Sequence, residues 1–318
     1  MTPIRIYNED NRFTIDWTLN SRCTYHCSYC PPSLHMGNNF IRSKEQDPEI
    51  VRKFIDKLSQ QLQGRSVHMF VNGGEPTISP VFEQLIDQVH ELGWCAYVNT
   101  NGSRSLDWWQ QYASKIFKVT VSYHPETVVD EEIFEKIKYI RSQTNVGVFV
   151  LMYPPMWDKS VAAYNKFKEM GVTLAVSRVF KRDQMQVAES YHYSDEQLQW
   201  LEQHSQVYFD PNNFPPVNNN YFGQTRIDYT TEQGTVTETL DEVAFTNQRK
   251  NVFTGWQCNM GQDHLFINPQ GDVDSATCSS TVKMGTVENF AGLLDKPTIC
   301  RSKYCMCTLD VQISKSNE

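Results

Sequence analysis

The sequence lacks the segments that direct a protein into or across a membrane. Its N-terminus is polar and charged and has no apolar stretch of the kind found in signal peptides. The longest apolar run, residues 146–153, is far shorter than the about 20 residues that a membrane-spanning helix needs. We therefore expect a cytoplasmic protein with no membrane partner.

Positive charge is also scarce. The 318 residues include 29 Lys and Arg against 37 Asp and Glu, so the formal net charge is −8, and no basic cluster is evident along the chain. Because an acidic surface repels a phosphate backbone, we expect no nucleic-acid partner. Hydrophobic residues make up 40% of the chain, which permits a large core and excludes a disordered protein.

Cysteine is absent between residues 96 and 257 but grouped on both sides of that span. An odd total of nine, without an export signal, argues against a set of disulfides. Apart from Cys95, the cysteines form two groups, which predicts two metal sites. The N-terminal group is Cys23, Cys27 and Cys30, and the C-terminal group is Cys258, Cys278, Cys300, Cys305 and Cys307.

Strand-like and helix-like segments alternate six times in the first two-thirds of the chain. The strand-like runs are short and rich in β-branched and aromatic residues, and the helices begin at recognisable caps such as Asp47 and the Ser194–Gln197 capping box. Six β/α units predict a parallel sheet, either doubly wound or a partial barrel, with functional loops after the strands. The predicted strands are 13–19, 67–71, 94–98, 119–122, 146–153 and 172–179.

The composition changes near residue 208, where Pro and Asn become frequent and a Thr-rich alternation follows. We interpret residues 208–255 as a linker and hairpin. The predicted division is therefore a β/α domain over 1–207, this linker, and a small cysteine-rich domain over 256–318.

The N-terminal cysteines form a C-x3-C-x2-C loop directly after the first strand of the β/α units. Three thiolates hold three irons of a [4Fe–4S] cluster and leave the fourth iron open to a chelating small molecule. A zinc site is the alternative, but structural zinc requires four ligands. The nearest candidates for a fourth ligand are His26 and His35.

This loop, with the aromatic Tyr29 before its third cysteine, resembles that of the radical S-adenosylmethionine (SAM) superfamily. The resemblance covers residues 13 to about 180 and implies a partial (β/α)6 TIM-like barrel. It further implies that the open iron binds SAM, and that reductive cleavage of SAM yields a 5′-deoxyadenosyl radical that abstracts a substrate hydrogen. A low-potential electron donor of the flavodoxin or ferredoxin type is the expected partner.

Three later loops resemble the SAM-binding segments of that superfamily. The Gly-Gly-Glu-Pro sequence after the second strand resembles the GGE motif, which receives the SAM ammonium group, and its glycines allow close backbone approach. Asn-Thr-Asn follows the third strand and a serine ends the fourth. The residues implied in SAM binding are Tyr29, Gly73, Gly74, Glu75, Pro76, Asn99, Thr100, Asn101, Ser122 and Arg178.

Three polar side chains at predicted strand ends are candidates for contact with the reactants. Arg178 is suited to pair with the SAM carboxylate or a substrate anion, although a surface ion pair is an equal alternative. His124 and Tyr153 are catalytic candidates, as proton-transfer groups or substrate contacts.

The C-terminal cysteines surround a predicted hairpin. The Asn-Pro-Gln-Gly turn at 268–271 is expected to bring Cys258 and Cys278 together, and the later cysteines would complete a [4Fe–4S] or zinc site. This segment resembles the SPASM or shorter twitch extension of radical SAM enzymes. Five cysteines suffice for one auxiliary cluster, so one of Cys300, Cys305 and Cys307 is expected to be spare.

The predicted function is the oxidation, epimerisation or bond formation of a small polar metabolite. Only twelve residues precede the first predicted strand, which leaves no space for a peptide-recognition domain, and a single auxiliary cluster resembles small-molecule members of the superfamily. Modification of a ribosomally made peptide is the alternative. A non-catalytic iron–sulfur or zinc protein is the alternative of another class.

Overall fold

The structure is a computed structural model that describes most of the chain. The candidate zinc ligand His35 and much of the predicted linker lie outside the described residues. The described residues are 2–8, 11–30, 45–183, 186–204, 225–231, 234–240, 248–305 and 307–317. The chain divides into a first unit of Met1–Trp17, Gln46–Phe70 and Pro216–Glu318, and a second unit of Thr18–Glu45 and Val71–Pro215.

Helices and strands alternate through most of the described residues. The helices are α1 (Pro48–Gln61), α2 (Phe82–Glu91), α3 (Leu106–Tyr112), α4 (Asp130–Gln143), α5 (Trp157–Glu169), α6 (Asp195–His204) and α7 (Thr308–Val311). The strands up to α6 are β1 (Thr2–Asn8), β2 (Arg12–Asn20), β3 (Ser66–Gly73), β4 (Cys95–Thr100), β5 (Lys118–Tyr123), β6 (Asn145–Met152), β7 (Thr173–Arg178), β8 (Phe180–Asp183) and β9 (Gln186–Ser190). The later strands are β10 (Thr225–Thr231), β11 (Gly234–Leu240), β12 (Gln257–Cys258), β13 (His264–Ile267), β14 (Asp272–Asp274), β15 (Lys283–Thr286), β16 (Thr298–Ile299) and β17 (Lys315–Ser316).

The second unit contains a parallel sheet. Strands β4, β5, β6 and β7 pair in that order, and α3, α4 and α5 connect them, because parallel neighbours require a crossover. Val119, Val121 and Tyr123 of β5 are fully buried, and the Tyr123 ring lies edge-on to Phe167 of α5 with centroids 5.6 Å apart. The predicted α/β class with a parallel sheet is confirmed.

The first unit contains an antiparallel sheet that the sequence analysis did not predict. Its order is β11-β10-β1-β17-β12-β16, and β1 occupies residues that were expected only to precede the first strand. Ile6 pairs with Ile227 and Lys315, both distant in sequence. Because β1 has no local partner, its residues carry no hairpin signal of their own.

Local signals in the sequence correspond to features of the structure. The Asp47 side chain accepts hydrogen bonds from the amides of Glu49 and Ile50 and caps α1. Ser194 and Gln197 exchange side chain–backbone hydrogen bonds of 3.0 and 3.2 Å before α6. The predicted hairpin at residues 268–271 joins β13 to β14. All three predictions are confirmed. Each feature depends only on residues that are close together in the chain.

No helix within the described residues combines the length and the apolar character that a membrane span requires.

We expect Gly285 to contribute strongly to the stability of the first unit. Its φ is +102°, and an added Cβ would lie 2.2 Å from the Asn289 carbonyl oxygen, so Gly285→Ala adds a backbone clash to conformational strain. Gly64→Ala is the matched control, because Gly64 has φ +77° with no atom within 4 Å of an added Cβ. Urea denaturation should show a loss of about 1–2 kcal/mol for the control and a larger loss for Gly285→Ala. Equal losses would contradict the clash.

Candidate functional site

The cysteine loop of the second unit follows β2. The Cys30 amide donates to the Cys27 carbonyl at 3.0 Å, which closes a turn and brings two of the three thiols to one side of the loop. Cys27 is buried, whereas Cys23 and Cys30 are half-buried. A hydrogen bond with Cys30 lowers the pKa of the Cys27 thiol to about 4, assisted by His124 and opposed by burial. Burial raises the pKa of the Cys23 thiol.

The loop after β5 contacts the middle of the cysteine loop. Nδ1 of His124 lies 3.4 Å from the Cys27 sulfur and 3.0 Å from the Tyr29 hydroxyl, and the Tyr29 and His124 rings are stacked. The Ser28 amide donates to a Glu126 carboxylate oxygen at 2.7 Å. The structure therefore brings Tyr29 and His124 together at a cysteine, and it adds Glu126, which sequence reasoning missed because an exposed glutamate has no distinguishing pattern.

Tyr153 also lies against the cysteine loop. Its hydroxyl is 2.9 Å from the Ser28 hydroxyl, and its ring centroid is 5.0 Å from that of Tyr29. It belongs to a small apolar cluster with Cys27, Tyr29 and Val179. Tyr153 and His124 therefore both contact the cysteine loop, although they follow different strands.

Glu75 is an ionisable residue enclosed among these loops. Its side chain is fully buried, and one carboxylate oxygen accepts hydrogen bonds from the Thr77 amide, the Thr77 hydroxyl and the Thr100 hydroxyl. The other oxygen accepts from the Asn101 amide at 2.6 Å. Burial raises the pKa of this carboxyl, and these hydrogen bonds oppose the shift. The carboxylate therefore connects the loop after β3 to the end of β4.

Gly73 and Gly74 are required for a close approach of two backbones. An added Cβ would lie 2.7 Å from the Asn20 carbonyl oxygen at Gly73 and 2.3 Å from that of Arg22 at Gly74. The Gly74 and Glu75 amides donate to these same carbonyls at 3.1 and 2.7 Å. The sequence analysis attributed the glycines to contact with a ligand. In the structure, the lack of side chains at both glycines lets the backbone at the start of the cysteine loop pack against them. Pro76 then begins a short 3₁₀ turn.

Asn101 links the end of β4 to the cysteine loop. Its side-chain amide donates to the Cys23 sulfur at 3.4 Å and to the Thr24 hydroxyl at 3.0 Å. Asn99, on β4, donates instead to the side chain of Asn72. Thr100 and Asn101 of the Asn-Thr-Asn segment therefore contact the two loops, whereas Asn99 contacts β3.

Two predicted residues lie apart from these contacts. Ser122 is half-buried on β5 and pairs with Phe149 of β6. Arg178 pairs with the buried Met152, so it lies on the other face of β7 from Ser177. There it lines a cavity of about 720 Å³ bounded in part by α6. None of the other predicted SAM-binding residues lines this cavity with Arg178 in the part of the chain that the structure describes.

The first unit gathers four of the five C-terminal cysteines. Three are buried and the fourth is packed against them, within an apolar cluster that includes Phe253 and Trp256. Burial raises the pKa of the Cys258 thiol and raises that of Cys305 to about 12. The four cysteines are Cys258, Cys278, Cys300 and Cys305.

Cys307 has different surroundings. It caps the short helix α7 and lies outside the apolar cluster that holds the other four. Burial raises the pKa of its thiol, and the nearby Asp310 raises it further. Cys307 is therefore not a member of the apolar cluster that holds the other four, although its side chain bonds to Thr277, the residue before Cys278.

A buried lysine is the cross-strand neighbour of Cys258. Lys315 pairs with Cys258 between β17 and β12, and its ammonium donates to the carbonyls of Asp310, Val311 and Ile313 at 2.6–3.2 Å. Because residues paired across strands project to the same side, this positive charge faces the cysteine cluster.

No group of three or more His, Cys, Asp or Glu side chains in the described residues has the spacing of a single-ion site.

Comparison with known proteins identifies the family. The profile of the Radical SAM superfamily matches residues 17–179, which is half of the chain. The protein belongs to the radical SAM superfamily, whose members are enzymes, and has its α/β fold.

Individual relatives are more distant. The chain is 33% identical over 86 residues to 7-carboxy-7-deazaguanine synthase of Haemophilus influenzae, a match that covers 27% of this chain and 35% of the relative. The chain therefore spans about a third of that curated relative's length. The crystal structure of Streptococcus suis SuiB has a TM-score of 0.51 at 12% identity, covering 88% of this chain and 64% of SuiB. The native anSMEcpe structure with bound AdoMet has a TM-score of 0.52 at 15% identity, covering 88% and 79%.

We expect Glu75→Gln to loosen the loops around the cysteines. Gln replaces one acceptor oxygen by an NH2 group, so in either orientation the backbone amide of Thr77 or of Asn101 loses its acceptor, and stability should fall by about 1–3 kcal/mol. Glu126→Gln is the control, since Glu126 also binds the cysteine loop but is exposed. Urea denaturation and equilibrium dialysis with SAM would measure both effects.

The control should have nearly unchanged stability, and Glu75→Gln should lose stability and SAM affinity together. Lost SAM binding at unchanged stability would instead show that the Glu75 carboxylate contacts SAM directly.

Proposed function

We propose that Cys23, Cys27 and Cys30 hold a [4Fe–4S] cluster and that SAM binds against it. The proposal is carried by the rigid attachment of the cysteine loop to the Gly-Gly-Glu loop, through the two backbone hydrogen bonds that the close approach of Gly74 permits. This attachment supports the proposal because it holds the loop that resembles the metal-binding motif beside the loop that resembles the SAM-binding motif.

The donor set fits an iron–sulfur cluster. Three thiols on one loop match a cluster with an open iron, and a hydrogen bond from Asn101 to the Cys23 sulfur is a typical adjustment of cluster ligands. When bound, the cluster and SAM supply the electron transfer and the 5′-deoxyadenosyl radical that removes a substrate hydrogen. The site is expected to operate in the cytosol, where thiols remain reduced.

The protein side chains then have mainly orienting functions. We infer that Glu75 acts through Thr77, Thr100 and Asn101 rather than by direct contact with the SAM ammonium group, because its oxygens already accept four hydrogen bonds. Backbone carbonyls of the same loop are then the receptors for the ammonium group. This assignment keeps the predicted loop and changes the predicted role of the carboxylate.

His124 and Tyr153 are also better suited to positioning than to proton transfer with a substrate. Both contact the cysteine loop, His124 at Cys27 and Tyr29, and Tyr153 at Ser28. A side chain that contacts a cluster ligand restricts the orientation of that ligand. We therefore assign both residues to the support of the loop.

A small polar metabolite is the substrate class that we favour. Phe149 is exposed although it lies within β6, and its neighbours across the sheet, Ser122 and Ala175, are small. An exposed ring between small residues offers a flat surface for a ring-shaped metabolite, and the curated relative is named for a deazaguanine product. The structure of SuiB bound to its precursor peptide is known, but SuiB and this chain are similar only in fold.

We further propose that Cys258, Cys278, Cys300 and Cys305 hold an auxiliary [4Fe–4S] cluster in a twitch-like domain, and that Cys307 is the spare cysteine. Four thiols in one apolar cluster match the number of ligands of a complete cluster. The ammonium of Lys315 beside them would offset part of the negative charge of such a cluster.

The first test is the cleavage of SAM. Anaerobically reconstituted enzyme with dithionite should release 5′-deoxyadenosine, and Cys27→Ala should abolish this release because the cluster loses a ligand. Cys95→Ala is the matched control and should retain cleavage, since Cys95 begins β4, away from the motif. Iron-loaded wild-type protein that releases no 5′-deoxyadenosine would refute the proposal. Deuterium transfer into 5′-deoxyadenosine from labelled metabolites or peptides would then separate the two substrate classes.

The second test distinguishes the C-terminal cysteines. We expect Cys305→Ala to lose about half of the bound iron, because the auxiliary cluster loses a ligand. Cys307→Ala should retain the wild-type iron content. Iron analysis with electron paramagnetic resonance would measure this difference, and the opposite pattern would make Cys307 the ligand.

A further inference from the structure

The cavity of about 720 Å³ that Arg178 lines lies between β7 and α6 of the second unit. We call it the α6 groove. Its volume is within the range of about 300–1,000 Å³ that is usual for sites that bind small molecules. In the part of the chain that the structure describes, its lining residues are Val176 and Arg178 of β7, and Asp195, Leu198, Gln199, Leu201 and Glu202 of α6.

The packing of α6 determines which of its side chains border the groove. The ring of Trp200 lies 5.5 Å from that of Trp157 and 5.2 Å from that of Tyr164, and both of these residues belong to α5. This aromatic contact fixes the rotation of the helix about its axis. Four of the groove residues have the spacing i, i+3, i+4 and i+7, which places them on one stripe of the helix. They are Asp195, Leu198, Gln199 and Glu202.

A buried hydrogen-bond bridge fixes the start of α6 beside the end of β7. The Tyr193 hydroxyl donates to the Met152 carbonyl and accepts from the Val179 amide, both at 2.8 Å. Because Val179 directly follows Arg178, and Asp195 lies two residues after Tyr193, this bridge holds Arg178 and Asp195 at the same end of the groove.

The groove is lined by opposite charges that do not pair with each other. Arg178 and Asp195 are exposed, and neither side chain has an ion pair or a hydrogen bond among the described residues. A guanidinium group can bind a carboxylate through two parallel hydrogen bonds, and a carboxylate can accept from an ammonium group. This end of the groove therefore offers complementary groups to a molecule that carries both charges.

The rest of the groove is apolar and ends at a second carboxylate. Val176 and Leu198 are half-buried and Leu201 is buried, so they supply an apolar middle section. Glu202 follows Asp195 by seven residues, which corresponds to about 10 Å along a helix that rises 1.5 Å per residue. The lining thus has one positive and two negative side chains, and a ligand with a net charge of +1 would balance them.

We propose that the α6 groove binds a free basic α-amino acid of the lysine or arginine type. Its α-carboxylate lies against Arg178 and its α-ammonium group against Asp195, since both head groups of an α-amino acid are attached to one carbon. Its side-chain methylenes pack on the apolar middle section, and its terminal cation reaches Glu202. This inference goes beyond the proposed SAM chemistry and does not depend on it.

The first test uses the anaerobically reconstituted wild-type enzyme and isothermal titration calorimetry with L-lysine as the probe. Three analogues each lack one charge: lysinamide lacks the α-carboxylate, Nα-acetyl-lysine the α-ammonium group, and norleucine the side-chain ammonium group. We expect each analogue to bind about threefold to tenfold more weakly than lysine, which is the range for partly exposed ion pairs and charged hydrogen bonds. This comparison does not depend on the folding of any variant.

The second test assigns each ligand charge to a side chain. Asp195→Asn should weaken lysine binding about threefold to tenfold but should bind Nα-acetyl-lysine as the wild type does, because the two changes remove the same interaction. Arg178→Gln with lysinamide, and Glu202→Gln with norleucine, should behave in the same way. Glu196→Gln is the matched control and should bind lysine as the wild type does, since Glu196 is exposed in the first turn of α6 and does not line the groove.

A third variant blocks the groove. Gln199→Trp places a large ring on the groove stripe and should abolish lysine binding. Gln203→Trp is its control, because Gln203 is exposed on the same helix but does not line the groove.

Several outcomes would overturn the inference. These are absence of lysine binding to the wild type, equal affinities for lysine and the three analogues, and equal losses in Gln199→Trp and Gln203→Trp. Tighter binding of the peptide Ala-Ala-Lys than of lysine would assign the groove to a peptide instead. Loss of SAM affinity in Arg178→Gln, with unchanged lysine binding, would assign Arg178 to the SAM site. Absence of SAM cleavage in the wild type would refute the proposed function, and the lysine titrations would still decide the ligand of the groove.

Discussion

The buried carboxylate of Glu75 is the interaction on which the geometry of the second unit's site depends. A charged or polar group removed from water is costly unless hydrogen bonds replace the lost hydration. Glu75 satisfies that requirement with Thr77, Thr100 and Asn101, and in doing so it joins two loops from successive strands. Asn101 then donates to the Cys23 sulfur, so the arrangement of the cysteine loop depends on Glu75, which is not one of the proposed metal ligands.

The two cysteine groups differ in the effect that their surroundings have on the pKa of the thiols. Hydrogen bonds acidify Cys27, whereas burial among apolar side chains raises the pKa of Cys258 and Cys305. A thiol of raised pKa must release its proton when it ligates a metal, so binding of the proposed auxiliary cluster would be coupled to proton release. Lys315 supplies the nearby positive charge that favours this release.

Much of the fold and part of the candidate site could be predicted because their signals are local. The six β/α units follow from periodicity, the start of α1 from Asp47, and the hairpin at 268–271 from its turn residues. The C-x3-C-x2-C spacing likewise places three thiols on one loop. Each of these features depends on residues within a few positions of one another.

The remaining features were decided by contacts between residues distant in the chain. These features are the pairing of β1 with β10, the partners of Glu75, the membership of the apolar cluster around Cys258 and the cavity that Arg178 lines. All of them depend on which strands and loops pack together. A sequence pattern carries the period of an element but not the identity of its neighbours.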